Sequence, residues 1–175
     1  MTFSATVFVG TSLDGYIARP DGDIDWLDER GRKAGDLGYT DFLDTVDAVV
    51  MGRNTYEKVL GFGEDAWHYG DRHVVVLSTT LPEDADPRIT VHRDLGALIA
   101  DLDERGIRHV YPDGGRLVQS FVRAGRVDAF IISVAPVLIG SGLQLFGELA
   151  EDVPLRLESA TSAGGFAQLR YAVEK

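Results

Sequence analysis

The stretch Asp47–Val59, DAVVMGRNTYEKV, limits the possible folds more than any other part of this chain. Its apolar run AVVM ends at Gly52, which predicts a short strand buried on both faces. The residues Arg53–Thr55 then open a predicted helical segment, Tyr56–Leu60. A strand that passes through glycine into a helix presents free backbone N–H groups at the carboxyl edge of a sheet. Such an edge attracts anions, phosphates especially.

The same design occurs a second time along the chain. A predicted strand, His109–Pro112, runs into the turn Asp113–Gly115 and then into a predicted helix, Arg116–Ala124. Two turns of this kind on one sheet indicate a ligand with more than one phosphate, such as a dinucleotide. Arg53 adds a cation suited to forked phosphate contacts. The alternative is that both are ordinary strand-to-helix turns.

Composition excludes several other functions. The chain of 175 residues is the size of one domain, and it contains no cysteine, so disulfides, thiolate catalysis and cysteine-ligated zinc are excluded. We expect no metal site. A formal charge of −11 makes nucleic acid and anionic membranes poor partners. No apolar run approaches the ~18 residues of a membrane span, and the opening MTFSATVFVG lacks the pattern of a signal peptide. We therefore expect a cytoplasmic protein.

Strand and helix patterns alternate along the chain before a β-rich end. Apolar strands are predicted over Ser4–Val9, His73–Leu77 and Val127–Val134. Asp94 is the predicted N-cap of an amphipathic helix. Gly164-Gly165 separates two alternating runs, which predicts a terminal antiparallel hairpin. Crossovers followed by strands predict an α/β fold with a mixed sheet flanked by helices.

The segment before Asp47 is predicted to be mostly irregular. Thr11–Asp25 is dense in glycine and aspartate and is predicted as a long loop, of the kind that often carries function. Asp25–Leu27 is predicted as one helical turn, and Arg30–Gly38 as an irregular polar segment. Tyr39–Thr45 is predicted as a helix.

Five short motifs in order resemble a known family. They are SLDGYIA at Ser12–Ala18, MGRNTYE at Met51–Glu57, LSTT at Leu77–Thr80, DGG at Asp113–Gly115 and PVLIGSGLQLF at Pro136–Phe146. Together they resemble the dihydrofolate-reductase-like fold, and within it the reductase domain of riboflavin biosynthesis. That domain occurs fused to a zinc deaminase or as stand-alone proteins. The deaminase is absent here, because its zinc signature needs cysteine.

The resemblance implies a mixed, mostly parallel twisted sheet with helices on both sides and an antiparallel end. It also implies that NADPH binds across the carboxyl ends of the strands. The residues that match the family's phosphate-binding turn are Gly52, Arg53, Asn54 and Thr55. Those expected at the adenosine ribose are Ser78 and Thr79, and those expected at the pyrophosphate are Gly114, Gly115 and the helix start at Arg116.

The two glycines of the second turn carry a specific expectation. A side chain at Gly114 should block the approach of the backbone to the pyrophosphate. Substitution of Gly114 by valine is then expected to abolish cofactor binding in a protein that stays folded. The cofactor is expected to be NADPH rather than NADH, with Arg53 as the main reason. The alternative for Arg53 is a pair with Glu57 one helical turn on.

The proton donor for such a reduction is open at this stage. The candidates are Asp14, Asp36 and the hydroxyls of Ser12 and Tyr16. Asp14 precedes a glycine, a position typical of a turn aspartate, which is the alternative for this residue. Asp36 is also consistent with a solvated or helix-start carboxylate.

Two groups of aromatic side chains, one before and one after the phosphate-binding turn at Gly52, each have two possible roles. Trp26 could stack on a substrate ring, with Tyr16 also near the substrate, or it could fill the core under the first loop. Trp67, His68 and Tyr69 could cover a ligand or pack at a subunit contact.

The leading hypothesis is an NADPH-dependent reductase of a small heterocyclic or carbonyl substrate, related to 5-amino-6-(5-phosphoribosylamino)uracil reductase. The alternatives are a non-catalytic nucleotide-binding or sensor domain on the same fold, and a dihydrofolate reductase. A homodimer is expected, because the apolar segment Ala135–Phe146 and the terminal strands offer much hydrophobic surface. The family that the chain resembles also tends to dimerise.

Overall fold

A computed structural model describes residues 3–175. Ten strands and five helices follow one another along these residues, with a short 3₁₀ turn at Glu64–Ala66. The strands are β1 (Ser4–Ser12), β2 (Tyr16–Ala18), β3 (Ala48–Gly52), β4 (His73–Leu77), β5 (Ile89–His92), β6 (His109–Asp113), β7 (Ala129–Ala135), β8 (Leu143–Gln144), β9 (Leu155–Ala163) and β10 (Phe166–Val173). The helices are α1 (Asp25–Ala34), α2 (Tyr39–Leu43), α3 (Arg53–Gly61), α4 (Leu95–Glu104) and α5 (Gly115–Arg123).

Eight of the strands form one mixed sheet in the order β5-β4-β3-β6-β1-β7-β10-β9. Neighbours from β5 to β7 pair in parallel, whereas β10 is antiparallel to both β7 and β9. The predicted mixed, mostly parallel sheet and its terminal hairpin are therefore confirmed. Parallel strands need crossover connections. Helices α3, α4 and α5 form three of them, whereas β4 and β5 are joined without a helix.

The central strands are buried on both faces, as the apolar run before Gly52 predicts. Val50 and Val75 face a cluster that includes Phe121 of α5. Their neighbours Met51 and Val76 face a second cluster on the opposite side of the sheet. Alternate residues of one strand therefore enter two separate cores, which explains why the strand lacks a polar face.

The segment between β1 and β3 is more regular than predicted. The predicted loop Thr11–Asp25 contains β2, which pairs with β8. The predicted turn at Asp25–Leu27 is a complete helix to Ala34, so the prediction of an irregular Arg30–Gly38 is wrong over its first half. Acidic residues in the first turn of α1 and basic residues in its last turn favour the helix through its dipole. The predicted cap at Asp94 is confirmed, with its carboxylate accepting from the Ala97 N–H at 2.9 Å.

The terminal hairpin is tied to the connection between α1 and α2. The side chain of Gln168 in β10 donates to the Leu37 carbonyl at 2.8 Å, and its Nε2 lies 3.0 Å from the hydroxyl of Ser133. Leu37 has a left-handed backbone with φ of 53°, an uncommon conformation outside glycine. The hairpin turn at Gly164 packs so closely on Ala34 that a side chain there would overlap it. Strand β10 thus holds the α1–α2 connection in place.

No helix within residues 3–175 is long and apolar enough to cross a membrane.

Candidate functional site

Two helices begin side by side at the carboxyl edge of the sheet. Helix α3 follows β3 and α5 follows β6, and these two strands are paired. Their N-caps are Gly52 and Gly114, and among the described residues no side chain caps either helix. The first backbone N–H groups of both helices therefore remain available, and the helix dipoles favour negative charge at this edge.

Gly114 is required by the protein's own packing. Its φ is +95°, and a side chain at this position would overlap the Thr55 hydroxyl. A Cβ on Gly115 would lie 2.9 Å from the Gln144 carbonyl oxygen and from the Ile17 side chain. Gly114→Val is therefore expected to destabilise the protein, because the substitution strains the backbone and displaces Thr55, so this variant does not isolate cofactor binding.

Gly52 differs from these two glycines. Its backbone is extended, with φ of −80° and ψ of 165°, a conformation open to any residue. A Cβ on Gly52 would meet no atom within 4 Å. The space above this residue is open, at the point where α3 directs its N-terminal N–H groups.

Arg53 lies between α3 and the turn that follows β4. Its Nε is 2.6 Å from the Glu57 carboxylate, and its Nη1 donates to the Thr80 hydroxyl at 2.8 Å. The side chain of Arg53 is 47% exposed, so its guanidinium can also contact a ligand. Asn54 and Thr79 are exposed at the same edge.

The residues after β4 have roles that differ from those expected from the sequence. Ser78 is only 8% exposed, and its hydroxyl oxygen accepts from the N–H groups of Thr80 and Leu81 at 3.2 and 3.0 Å. Ser78 therefore shapes this turn. Thr80, which the sequence interpretation did not select, is the residue whose hydroxyl touches Arg53.

Asp14 and Ser12 hold the loop that follows β1. The Ser12 hydroxyl, together with the N–H groups of Gly140 and Ile139, lowers the pKa of Asp14. The carboxylate accepts from the Gly140 N–H at 2.8 Å, and Ser12 Oγ accepts from the Tyr16 N–H at 3.0 Å. A carboxyl group that is ionised and already bonded in this way is a poor proton donor, which favours the turn alternative for Asp14.

Asp36 begins α2. Its two oxygens accept from the N–H groups of Gly38 and Thr40, each at 3.0 Å. The Thr40 hydroxyl and these two amides lower the pKa of Asp36, which again disfavours proton donation. This geometry matches the helix-start alternative for this residue.

The Trp26 side chain lies in the interior. It is 2% exposed and packs in a cluster with Ala135 and Phe166. This placement matches the core alternative, because the ring has no free face for a substrate.

Asp113 is the carboxyl group that sequence reasoning missed. It is the last residue of β6, directly before the uncapped start of α5. Burial raises its pKa to about 6, against the opposing hydrogen bonds of the Gly114 N–H and the Tyr111 hydroxyl. A carboxyl group with this pKa can hold and release a proton near neutral pH. The DGG motif contained this residue, but only its glycines had been assigned a role.

Polar aromatic side chains surround Asp113. The Tyr111 hydroxyl donates to the Phe8 carbonyl at 3.0 Å and also contacts the Asp113 carboxyl group. The Tyr39 hydroxyl lies 2.9 Å from Nε2 of His68. Nδ1 of His68 lies 2.6 Å from a carbonyl oxygen, so it carries the proton and Nε2 accepts from Tyr39. His68 therefore reaches towards the sheet face that carries Asp113.

The fold and this edge define a class of protein. The sheet order, the two uncapped helix starts and the terminal hairpin belong to the dihydrofolate-reductase-like fold. Residues 4–167 match the family described as the RibD C-terminal domain. The chain belongs to this family, whose members are related to riboflavin-pathway reductases.

Individual relatives agree with this assignment. The chain is 38% identical to the uncharacterized protein YwjB of Bacillus subtilis (strain 168), over 98% of both chains. A solved structure from Shewanella sp. PV-4, whose name refers to riboflavin biosynthesis, is 34% identical with a TM-score of 0.89, over 99% of this chain and 100% of the other.

A more distant structure shares the fold. The deaminase/5-amino-6-(5-phosphoribosylamino)uracil reductase of Thermotoga maritima is 16% identical with a TM-score of 0.71. The match covers 98% of this chain but 57% of the Thermotoga protein.

Proposed function

We propose that this protein is an NADPH-dependent reductase of a small heterocyclic or carbonyl substrate. One observation carries the proposal: two uncapped helix starts lie side by side at the carboxyl edge of the sheet, and the Asp113 carboxyl group lies directly before one of them. The helix starts fit phosphate groups, and the carboxyl group fits the proton that reduction of a C=N or C=O bond requires.

The residues at the edge fit a dinucleotide. Gly52 leaves open space where α3 begins, and among the described residues no N-cap side chain bonds to the first turn of α3 or α5. NADPH, when bound, supplies the hydride. In this proposal Arg53, Asn54 and Thr55 hold phosphate at the start of α3. Arg116 stands exposed at the start of α5, beside the expected pyrophosphate.

Asp113 replaces Asp14 and Asp36 as the proposed proton donor. The pKa values of the latter two are lowered by hydrogen bonds to N–H and hydroxyl groups, so both are ionised at neutral pH. Asp113 alone of these three has a raised pKa. Protonated, it donates to the substrate atom next to the carbon that accepts hydride.

A non-catalytic sensor on the same fold is the second candidate. A sensor would use the helix starts but has no need for a carboxyl group held near its pKa, so Asp113 favours the enzyme. Both candidates should bind NADPH, which fluorescence titration measures. Only the enzyme should oxidise NADPH, seen as a loss of its absorbance, when 5-amino-6-(5-phosphoribosylamino)uracil or its analogue lacking phosphate is added. Oxidation of NADPH with dihydrofolate would instead support the dihydrofolate reductase alternative.

Arg53→Ala is expected to weaken NADPH binding about tenfold to a hundredfold and to leave NADH binding nearly unchanged. A charge-assisted contact to the extra phosphate contributes roughly 1.5–3 kcal/mol, which corresponds to this factor. The surface pair with Glu57 that is also lost contributes much less. Titration of both cofactors by fluorescence measures the two affinities.

Lys58→Ala is the matched control, since it removes an equal charge from the same helix on a side chain that lies over Phe62. Its affinities should equal those of the unmodified protein. If Arg53→Ala weakens NADPH and NADH equally, Arg53 holds the shared pyrophosphate instead.

We also infer that two copies of the chain associate through β9. Leu155 and Leu157 lie on one face of this edge strand, 41% and 52% exposed, whereas Arg156 and Glu158 pair on the other face. An apolar sheet face of this kind needs a cover. Light scattering is expected to give twice the mass of one chain, and Leu157→Glu to give the mass of one chain. Leu60→Glu, at an exposed position on α3, should leave the dimer intact.

A further inference from the structure

A cleft of about 480 Å³ lies between α1 and the sheet. Phe8 of β1 forms part of its wall, and the Phe8 carbonyl accepts the hydrogen bond of Tyr111. Tyr111 in turn contacts Asp113. Hydrogen bonding through Phe8 and Tyr111 therefore links one wall of the cleft to the proposed proton donor.

A glycine in the middle of α1 opens one side of this cleft. Gly31 lines the cleft, and a Cβ on it would meet no atom within 4 Å. Its backbone is ordinary helix, so neither its conformation nor its neighbours require glycine. Glycine lowers the stability of a helix interior relative to alanine. Glycine at position 31 therefore lowers the stability of the helix and leaves this side of the cleft open.

The remaining walls are mostly apolar. Phe8, Leu27, Leu37 and Phe166 line the cleft on several sides. A Cβ on the neighbouring Gly10 would lie 2.9 Å from Leu27, so α1 packs directly against β1 below the opening. Apolar and aromatic walls suit an aromatic ring.

The charges that line the cleft do not suit a phosphate group. Asp28 and Asp36 oppose a single cation, Arg32, which lies on α1 one turn after Asp28. The Ser133 hydroxyl in the wall is 2% exposed and is bonded to Gln168. A phosphate monoester carries close to two negative charges at neutral pH and is held by clustered cations. Here it would enter a cleft whose lining carries a net negative charge, within a chain of charge −11.

We propose that the substrate held in this cleft is an aromatic heterocycle that bears hydrogen-bond donors and no phosphate. The ring lies between the apolar walls beside Gly31, and its polar N–H or hydroxyl groups face Asp28. The proposal rests on the proposed reductase function for the identity of the cleft as a substrate site. It departs from the phosphorylated compound in the name of the Thermotoga relative.

Calorimetric binding to the full chain without cofactor tests the proposal separately from catalysis. The probes are 5-amino-6-ribitylaminouracil and its 5-phosphate. The compound without phosphate is expected to bind at least about tenfold more tightly. Asp28→Lys, which exchanges a negative for a positive charge at the cleft, should reduce or reverse this preference.

Two variants of Gly31 test the place of binding. Gly31→Ala and Gly31→Leu should raise the midpoint of thermal unfolding by a few degrees, because both residues are better helix formers. Both variants should lower the affinity for the ribityl compound, Gly31→Leu more than Gly31→Ala. Gly61→Ala, at another open helical glycine, should leave ligand affinity unchanged.

The outcomes separate this proposal from the proposed function. Tighter binding of the 5-phosphate than of the compound without phosphate overturns the substrate class. Binding of neither compound, or unchanged affinity of the ribityl compound in Gly31→Leu, overturns the assignment of the cleft as the site. NADPH affinity and turnover bear on the reductase function alone. If the protein binds the ribityl compound but never oxidises NADPH, the cleft remains the binding site and the proposed reductase function is wrong.

Discussion

Asp113→Asn is expected to lower kcat/KM about 10²- to 10⁴-fold, the range by which general acids accelerate proton transfer. Asparagine keeps the size and the hydrogen bonding of the side chain at the end of β6 but has no acidic proton. NADPH affinity, measured by fluorescence, should change little, because the helix starts that fit phosphate remain intact. Wild-type kcat/KM in this variant would exclude Asp113 as the donor.

The pH dependence should identify the same group. Because the protonated form of Asp113 acts as the acid and its pKa is about 6, kcat/KM is expected to fall as pH rises above 6. The residual activity of Asp113→Asn should lack this descending limb. A purely structural role for Asp113 would lower the activity without changing the shape of the profile.

Asp113→Asn should also stabilise the protein at alkaline pH. A carboxyl group whose folded-state pKa is raised opposes folding once it ionises, so its cost is complete above about pH 6 and absent below the unfolded value of about 4. The free energy of unfolding of the variant is expected to exceed that of the unmodified protein by about 1–3 kcal/mol at pH 8, and to match it near pH 4.

Asp86→Asn is the matched control, for which the change in stability at alkaline pH should have the opposite sign. Its carboxylate pairs with Arg88, whose hydrogen bonds lower the pKa of Asp86 to about 2. Asp86 therefore contributes stability above about pH 4 that is lost as pH falls towards 2. Denaturant unfolding should show Asp86→Asn less stable than the unmodified protein at pH 8.

Gly52→Val is expected to reduce NADPH affinity at least about a hundredfold while the protein stays folded. The backbone conformation suits valine, and its Cβ meets no protein atom within 4 Å, so the side chain projects into the open space at the start of α3. There it would displace phosphate from the N–H groups. The loss of two charge-assisted contacts of roughly 1.5–3 kcal/mol each gives this factor.

Gly61→Val provides the comparison, because this glycine ends the same helix and also has no atom near its missing Cβ. It should bind NADPH like the unmodified protein. Thermal unfolding of both variants verifies that they are folded. Unchanged affinity in Gly52→Val would remove the start of α3 from the cofactor site.

The parts of the fold that follow from local sequence were predictable. The strand His73–Leu77 was predicted with its observed bounds. A short apolar run of this kind is the pattern expected for a strand that is buried on both faces. Helix α1 was predicted only as its first turn because its sequence is polar and contains Gly31, while Trp26 packs it into the interior. Local patterns do not contain such tertiary contacts.

The site divides in the same way. Gly52 and Gly114 were predictable because a helix start after a strand is a backbone feature that glycine marks. The roles of Asp14, Asp36 and Asp113 were not, since each depends on which N–H groups and which buried surfaces meet the carboxyl group. The sequence shows three aspartates near glycine. Only the fold separates two ionised carboxylates that accept from backbone N–H groups from one carboxyl group with a raised pKa.

The hold of Gln168 on Leu37 has a consequence for the cleft. Leu37 forms part of the cleft wall in a left-handed conformation that costs about 1–3 kcal/mol, and the Gln168 side chain keeps it there by binding its carbonyl. Loss of this hydrogen bond would remove the contact that holds the Leu37 carbonyl. We therefore expect a change at Gln168 in β10 to leave this wall of the cleft less firmly held, although Gln168 itself does not line the cleft.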